Sequence, residues 1–471
     1  MNFSSPDFLL RFLPVFLIVY YLAGPKLRNA VLFCGSAAFY MISGSRYVMI
    51  MIMLLIINYL ATDRMYSTES YTRIGLPVEV RRELHLLMAV GCNLVVLFCF
   101  KYFGTTMTLV SHFTGKTSAT ENLILPLGLS FFTFQMIAYD IDVYKRRYKK
   151  RPDFLMFLNF AIMFPYVSSG PIVRYGDVES DIKTREITAR HLEKGAVSFI
   201  CGLAMKVLLA DNLATVWSEI WRRGPLGIDL PSAWFGAWGY SLRLYFDFAG
   251  YSLMAIGIGS MLGFSLPDNF DHPYAAVSMT DFWRRWHITL GRWFRDYIYI
   301  PLGGSRRGMP VTILNLLIVW CLTAVWHDAS LHFLLWGGFI FVLLVLEKTF
   351  LHKIFDRVRL LGHLYMMIAI PLSWLIFNVS DITVLVEYVR RMFDPAMAGV
   401  VTEGLDLFRY MISQYGVLMA VGAIFATPAP AHLIRKYHDK LPIRIVLCIL
   451  FIVSVYVMMT GQDNPFMYFS F

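Results

Sequence analysis

Charge is scarce in this 471-residue chain: 16% of residues are charged and 57% are hydrophobic. A soluble domain carries roughly 25% charged and about 45–50% apolar residues. Length alone would suggest about three soluble domains, but so little polar surface cannot cover them. A soluble globular enzyme, a disordered scaffold and a secreted disulfide module are excluded, which leaves an integral membrane protein. Cysteine is scarce as well. Cys34, Cys92, Cys99, Cys201, Cys321 and Cys448 stand singly in apolar stretches, with no C-x-x-C pair. That argues against a zinc site or a disulfide framework and predicts buried, inert thiols. The amino terminus has neither a basic region before its apolar run nor an A-x-A-like site, so its first helix is expected to stay in the membrane.

What is abundant is apolar helix. A bilayer core of about 30 Å needs about 20 apolar residues. Candidate spans or half-spans fall near 7–23, 29–43, 47–62, 85–103, 123–143, 154–169, 195–217, 232–264, 311–326, 332–350, 363–379, 414–427 and 443–460. These give roughly eleven to thirteen membrane segments. Several are short or contain Pro and Gly, and such pieces survive at membrane depth only when packed in protein or lining a cavity. The net charge of +10 resides in short loops between apolar runs. Positive-inside topology and anionic lipid account for it better than nucleic acid does. KRRYKKR (145–151) puts six bases in seven residues and marks its loop as cytoplasmic. Without a visible repeat, low-complexity tract or long linker, 1–471 reads as a single membrane domain.

Residues 266–307 are too polar to span and too aromatic for a solvated loop. From Asp281, the positions Trp283, Trp286, Leu290, Trp293 and Tyr297 recur with helical period, and Arg284, Arg285, Arg292 and Arg295 take the other side. The pattern predicts one amphipathic interfacial helix with Thr280 or Asp281 as its N-cap. His287 shares the apolar stripe, and spacing alone leaves its role open between packing and chemistry. The following PLGGSRR loop could offer backbone N–H groups with Arg306 and Arg307 to a phosphate, although a plain basic turn fits it better.

His327 lies between two strongly apolar stretches without a nearby Arg or Lys. Burying a polar side chain at such depth costs a few kcal/mol, and such residues usually mark function. A neutral imidazole there is a good general base, because its ordinary pKa of about 6.5 lies near working pH. Asp328, the immediate neighbour, is a poor orienter of the ring. No Ser, Cys or carboxylate has nucleophile-like spacing beside His327, and neither G-x-S-x-G nor H-E-x-x-H occurs. Hydrolysis is thereby disfavoured, and a base that deprotonates a hydroxyl attacking an activated acyl group remains.

FWRRWHITLGRWFRDYIYIPLGG (282–304) followed by AVWHDA (324–329) resembles the membrane-bound O-acyltransferase (MBOAT) superfamily, in its bacterial alginate and polysaccharide O-acetylation branch. Further similar pieces are LPLGLSFFTFQMIAYDIDVYKR (125–146), FPYVSSGPIVRY (164–175), LRLYFDFAGYSLMAIGIGSMLGF (242–264) and NPFMYFSF (464–471). Together they cover most of the chain in order. Two positions depart from the family pattern. Leu253 stands where Asp is usual, and Asp328 stands where Gly is usual, which puts the backbone beside His327 in question.

The resemblance implies an all-α fold, a ring of helices around a central funnel. It places the catalytic base on His327 and a second active-site imidazole on His287, which would polarise the thioester or stabilise developing negative charge. Arg243, Asp247, Trp283, Trp286 and Trp326 become candidates for lining the funnel, although Arg243 and Asp247 could equally neutralise each other at i,i+4. The aromatic tail (461–471) reads as an interfacial anchor or, by similarity to the teichoic-acid D-alanylation system, as a strap that presents Tyr468 as acyl acceptor. The implied activity is O-acetylation of an exported polysaccharide from the bacterial inner membrane. Acetyl-CoA is the expected donor substrate, no cofactor or metal is expected to be bound, and an extracytoplasmic acetyltransferase and the polysaccharide synthesis and export machinery are the expected partners. D-alanyl transfer from a carrier protein, a transporter and a non-enzymatic synthase scaffold are the alternatives.

Overall fold

The computed structural model describes residues 1–44, 47–67, 77–114, 125–168, 170–394 and 404–461. These residues are helical throughout their regular structure, with no strand among them. Eight helices among them are long and apolar enough to cross a membrane: Val48–Tyr66, Val78–Lys101, Ala189–Arg223, Met309–His327, Leu331–Arg357, Arg359–Asn378, Asp406–Phe425 and Leu441–Thr460. The chain is a multi-pass membrane protein. The other expected segments are shorter helices or, at Leu230–Met261, a long helix outside those eight. The cysteines depart from expectation. Cys34, Cys99, Cys321 and Cys448 are exposed, since a helix of a membrane protein can carry apolar residues on its outward face as well as inward.

The chain divides into two compact units, one of Met1–Phe199 with Ala255–Pro267 and one of Ile200–Met254 with Asp268–Phe471. In the first, α1 (Val48–Ser67) and α2 (Val78–Lys101) are joined by a buried amide pair. Asn93 Nδ2 donates to Asn58 Oδ1 at 2.7 Å. Both helices pack on α3 (Leu129–Tyr144), which is buried on nearly every side. The basic loop that follows is held back onto the unit, with Arg147 2.8 Å from Asp142 and Arg151 paired with Asp63.

The second unit carries the chemistry. Its first long elements are the end of the run Ala189–Arg223 (α4), which contains a π turn at Met205–Ala210, and most of α5 (Leu230–Met261). They cross at two glycines: a Cβ on Gly202 would sit 2.5 Å from the Gly250 carbonyl oxygen. Only residues without side chains let two backbones approach so closely. Then follow α6 (Met279–Arg285), α7 (Ile288–Phe294), α8 (Met309–His327), α9 (Leu331–Leu346), α10 (Arg359–Asn378) and α11 (Gly404–Phe425).

The predicted single amphipathic helix is thus two. Trp286 is extended (φ −97°, ψ 128°) and His287 is left-handed (φ 44°), so the chain turns between α6 and α7. A non-glycine residue there is uncommon and is held by its surroundings. The stripe positions Trp286, Leu290, Trp293 and Tyr297 are nonetheless all buried. The N-cap is neither Thr280 nor Asp281. It is Ser278, whose Oγ accepts from Asp281 N at 3.0 Å.

Candidate active site

His327 is the last residue of α8, where the chain breaks helix into Asp328 before α9 begins. The ring therefore sits at a helix end rather than within a continuous apolar run. It is buried, at 7% exposure. Trp326, Trp336, Phe377 and Phe333 surround it, with ring centroids at 4.6, 5.2, 5.0 and 5.6 Å. Trp336 is itself fixed by donating from Nε1 to Ser373 Oγ at 3.0 Å. Asp328 Oδ1 accepts from Ala329 N at 2.8 Å, a local turn contact.

His287 belongs to the same aromatic cluster by way of its neighbours. Trp286 lies 4.7 Å from Trp374, Trp374 lies 5.7 Å from Phe377, and Phe377 touches His327. Trp283 packs on Trp320 and Trp336 at 4.7 and 5.9 Å. Such pairs each add about 0.5–1.5 kcal/mol beyond area burial, so the two imidazoles are mounted on one rigid aromatic frame. Phe248 of α5 closes over His287 edge to face at 4.8 Å. Burial pulls the His287 imidazole down to about 3, so it is neutral at working pH.

Asn269 and Glu347, which sequence reasoning missed, hold this segment. Asn269 Oδ1 lies 3.1 Å from His287 Nδ1 and accepts from Thr289 Oγ1 and Thr289 N at 2.8 and 3.3 Å. Asn269 O accepts from Ile288 N at 2.9 Å. Glu347 supplies the other end, because its carboxylate accepts from Met279 N at 2.5 Å and from Thr280 N and Oγ1 at 2.8 and 2.6 Å. A carboxylate on the free N–H groups of a helix start is favoured by charge and dipole alike.

Asp247 does not pair with Arg243. It lies 2.8 Å from Lys206 Nζ, which also reaches Asp211 at 2.6 Å. Lys206 and Asp247 are both buried, at the π turn of α4 and on α5. The i,i+4 spacing misled because the cation comes from a different helix. An isolated lysine in the apolar run 195–217 was the available signal. Arg243 instead lines a polar cavity of about 370 Å³ with Asp211, Thr215, Ser218, Glu219, Arg222 and Tyr415. An apolar cavity of about 640 Å³ opens between α5 and α11, lined by Trp234, Trp238, Tyr274 and Phe408 among others. Neither cavity is lined by His287 or His327.

Arg306 and Arg307 are exposed in a turn whose Gly303, Gly304 and Gly308 have positive φ. No group of three or more His, Cys, Asp or Glu among the described residues could hold a metal ion. Tyr468 lies outside the described residues, as do residues 462–471 of the aromatic tail.

Comparison with known proteins matches residues 143–378 to the model of the membrane-bound O-acyltransferase family. The chain is 34% identical to a protein of Pseudomonas aeruginosa named "Probable alginate O-acetylase AlgI", over 83% of this chain and 75% of the relative. It is 31% identical to a peptidoglycan O-acetyltransferase of Helicobacter pylori, over 83% and 79%. A teichoic acid D-alanyltransferase of Bacillus subtilis is 30% identical, over 49% and 60%.

Proposed function

The chain belongs to the membrane-bound O-acyltransferase family and is an O-acyltransferase; we propose that it takes an acetyl group from a cytoplasmic thioester, acetyl-CoA, and passes it across the bacterial inner membrane for O-acetylation of an exported polysaccharide. The observation that carries this reading is His327: a buried imidazole in an aromatic cage, at the end of a helix long and apolar enough to cross a membrane. The O-acetyltransferase relatives cover far more of this chain than the D-alanyltransferase does, 83% against 49%, which favours acetyl over D-alanyl as the group moved.

In the proposed reaction an imidazole nitrogen of His327 takes the proton of an attacking hydroxyl. The oxygen bonds to the acyl carbon, the carbon–sulfur bond breaks, and the thiolate leaves with the proton returned from the imidazolium. Tyr468 is the proposed first acceptor. A phenol of pKa about 10 is nearly as good a leaving group as a thiol of about 8.5, so the ester keeps most of the thioester's transfer potential. An extracytoplasmic acetyltransferase would then move the acetyl group to a sugar hydroxyl.

The test is polymer acetylation in cells carrying His327→Ala, with the variant's membrane level measured. Removal of a general base predicts a fall of about 10²–10⁴-fold at unchanged level. Undiminished acetylation would favour a scaffold.

A further inference from the structure

The hydrogen bonds around Asn269 decide which nitrogen of His287 carries a proton. Asn269 Oδ1 and Nδ2 are interchangeable by shape alone, so their identity has to come from what faces them. Here one partner leaves no choice. Thr289 N is a backbone N–H in the first turn of α7, which can only donate, and it points at the Asn269 atom assigned as Oδ1 from 3.3 Å. Its neighbour Ile288 N donates to the Asn269 carbonyl at 2.9 Å. Asn269 therefore caps the start of α7 with main-chain and side-chain oxygens together, satisfying donors that a helix start leaves over. Turning the amide over would set its NH₂ against the Thr289 N–H, donor facing donor.

With oxygen fixed at that position, the 3.1 Å contact to His287 Nδ1 requires Nδ1 to be the donor. A neutral imidazole has one N–H, so Nε2 holds the lone pair. The ring is 3% exposed, and burial suppresses its charged form. It cannot regain a second N–H by protonation near neutral pH.

We propose that Asn269 is a positioning residue that locks His287 with Nδ1 protonated, so that His287 meets substrate through Nε2 as a hydrogen-bond acceptor. On this assignment the ring cannot donate to the acyl oxygen, the role the family resemblance suggested for it. Its ligand is an O–H or N–H group of a substrate, other than the hydroxyl that His327 deprotonates. Its low basicity suits holding such a group rather than taking its proton. The substrate side of this inference rests on the acyltransferase reading above, while the tautomer does not.

The experiment is ¹⁵N magnetic resonance of histidine-labelled full-length protein in liposomes, with His287 identified by the signal missing from His287→Gln. The expected result is a protonated Nδ1 and a bare Nε2 that persist between about pH 8 and pH 5. Asn269→Asp keeps an oxygen against Nδ1, so the tautomer persists while the added charge raises the titration into the measured range. Acyl transfer by that variant should retain most of its rate and acquire a new acid limb. Asn269→Leu should release the ring to a mixture of tautomers, with a loss of at least tenfold in transfer that Asp does not share. A protonated Nε2 in the unsubstituted protein, or an unmoved His287 titration in Asn269→Asp, would overturn the proposal. Loss of transfer in all forms with the predicted tautomer intact would instead count against the acyltransferase reading alone.

Discussion

Glu347 and Thr280 are joined by two hydrogen bonds, Thr280 N and Thr280 Oγ1 both donating to Oε2 at 2.8 and 2.6 Å. Glu347 begins the π turn Glu347–Leu351 and is buried, so an inward carboxylate at a helix irregularity anchors α6. That helix ends at the Trp286–His287 turn. Its seating therefore sets where the second imidazole stands. Removing Glu347 leaves the Met279 and Thr280 N–H groups without their acceptor, at about 1–3 kcal/mol. Glu347→Ala should unfold at lower temperature in detergent, and should lose transfer rate at temperatures where it remains folded.

Lys206 sits between Asp211 and Asp247 at 2.6 and 2.8 Å, buried on a helix long and apolar enough to cross a membrane. Breaking one side of a buried ion pair costs about 3–5 kcal/mol because a charge is left uncompensated. Lys206→Met should lower the unfolding midpoint strongly. Adding Asp247→Asn should recover part of the loss, since it removes one of the two stranded carboxylates. Thermal unfolding of the single and double variants in a double-mutant cycle measures both effects. No recovery in the double variant would contradict the ion-pair account.

The pH response of stability follows from His287. Its folded pKa of about 3 lies below the unfolded value of about 6.5. Between those values the unfolded chain takes up a proton that the folded chain refuses. Stability from this residue is complete above about pH 6.5 and declines toward pH 3, by about 1.4 kcal/mol per pH unit within that window. His287→Gln should flatten that part of the acid slope. Equilibrium unfolding at a series of pH values, with and without the substitution, is the check.

The sequence made His327 legible because a lone imidazole between apolar stretches is expensive, and expense is visible without a structure. The Trp286, Leu290, Trp293 and Tyr297 stripe was legible as a buried face for a similar reason. The break within it was not, because helical periodicity resumes after the turn almost in register. What causes the break is remote. Asn269 lies 18 residues before His287, and Glu347 lies 67 residues after Thr280, and neither carries a local signal. The Arg243–Asp247 spacing failed in the same way: it sees one helix, while the partner of Asp247 stands on another. The turn of Arg306 and Arg307 was legible as an exposed basic turn, since glycines at positive φ and exposed charge are local properties.

The most direct test of the central claim uses purified protein in liposomes with radiolabelled acetyl-CoA. If His327 is the base that moves an acyl group from the thioester, the intact protein releases free CoA thiol and takes label onto its own carboxy-terminal peptide, while folded His327→Ala does neither at a comparable rate. Equal labelling and equal thiol release by the two proteins would contradict the account.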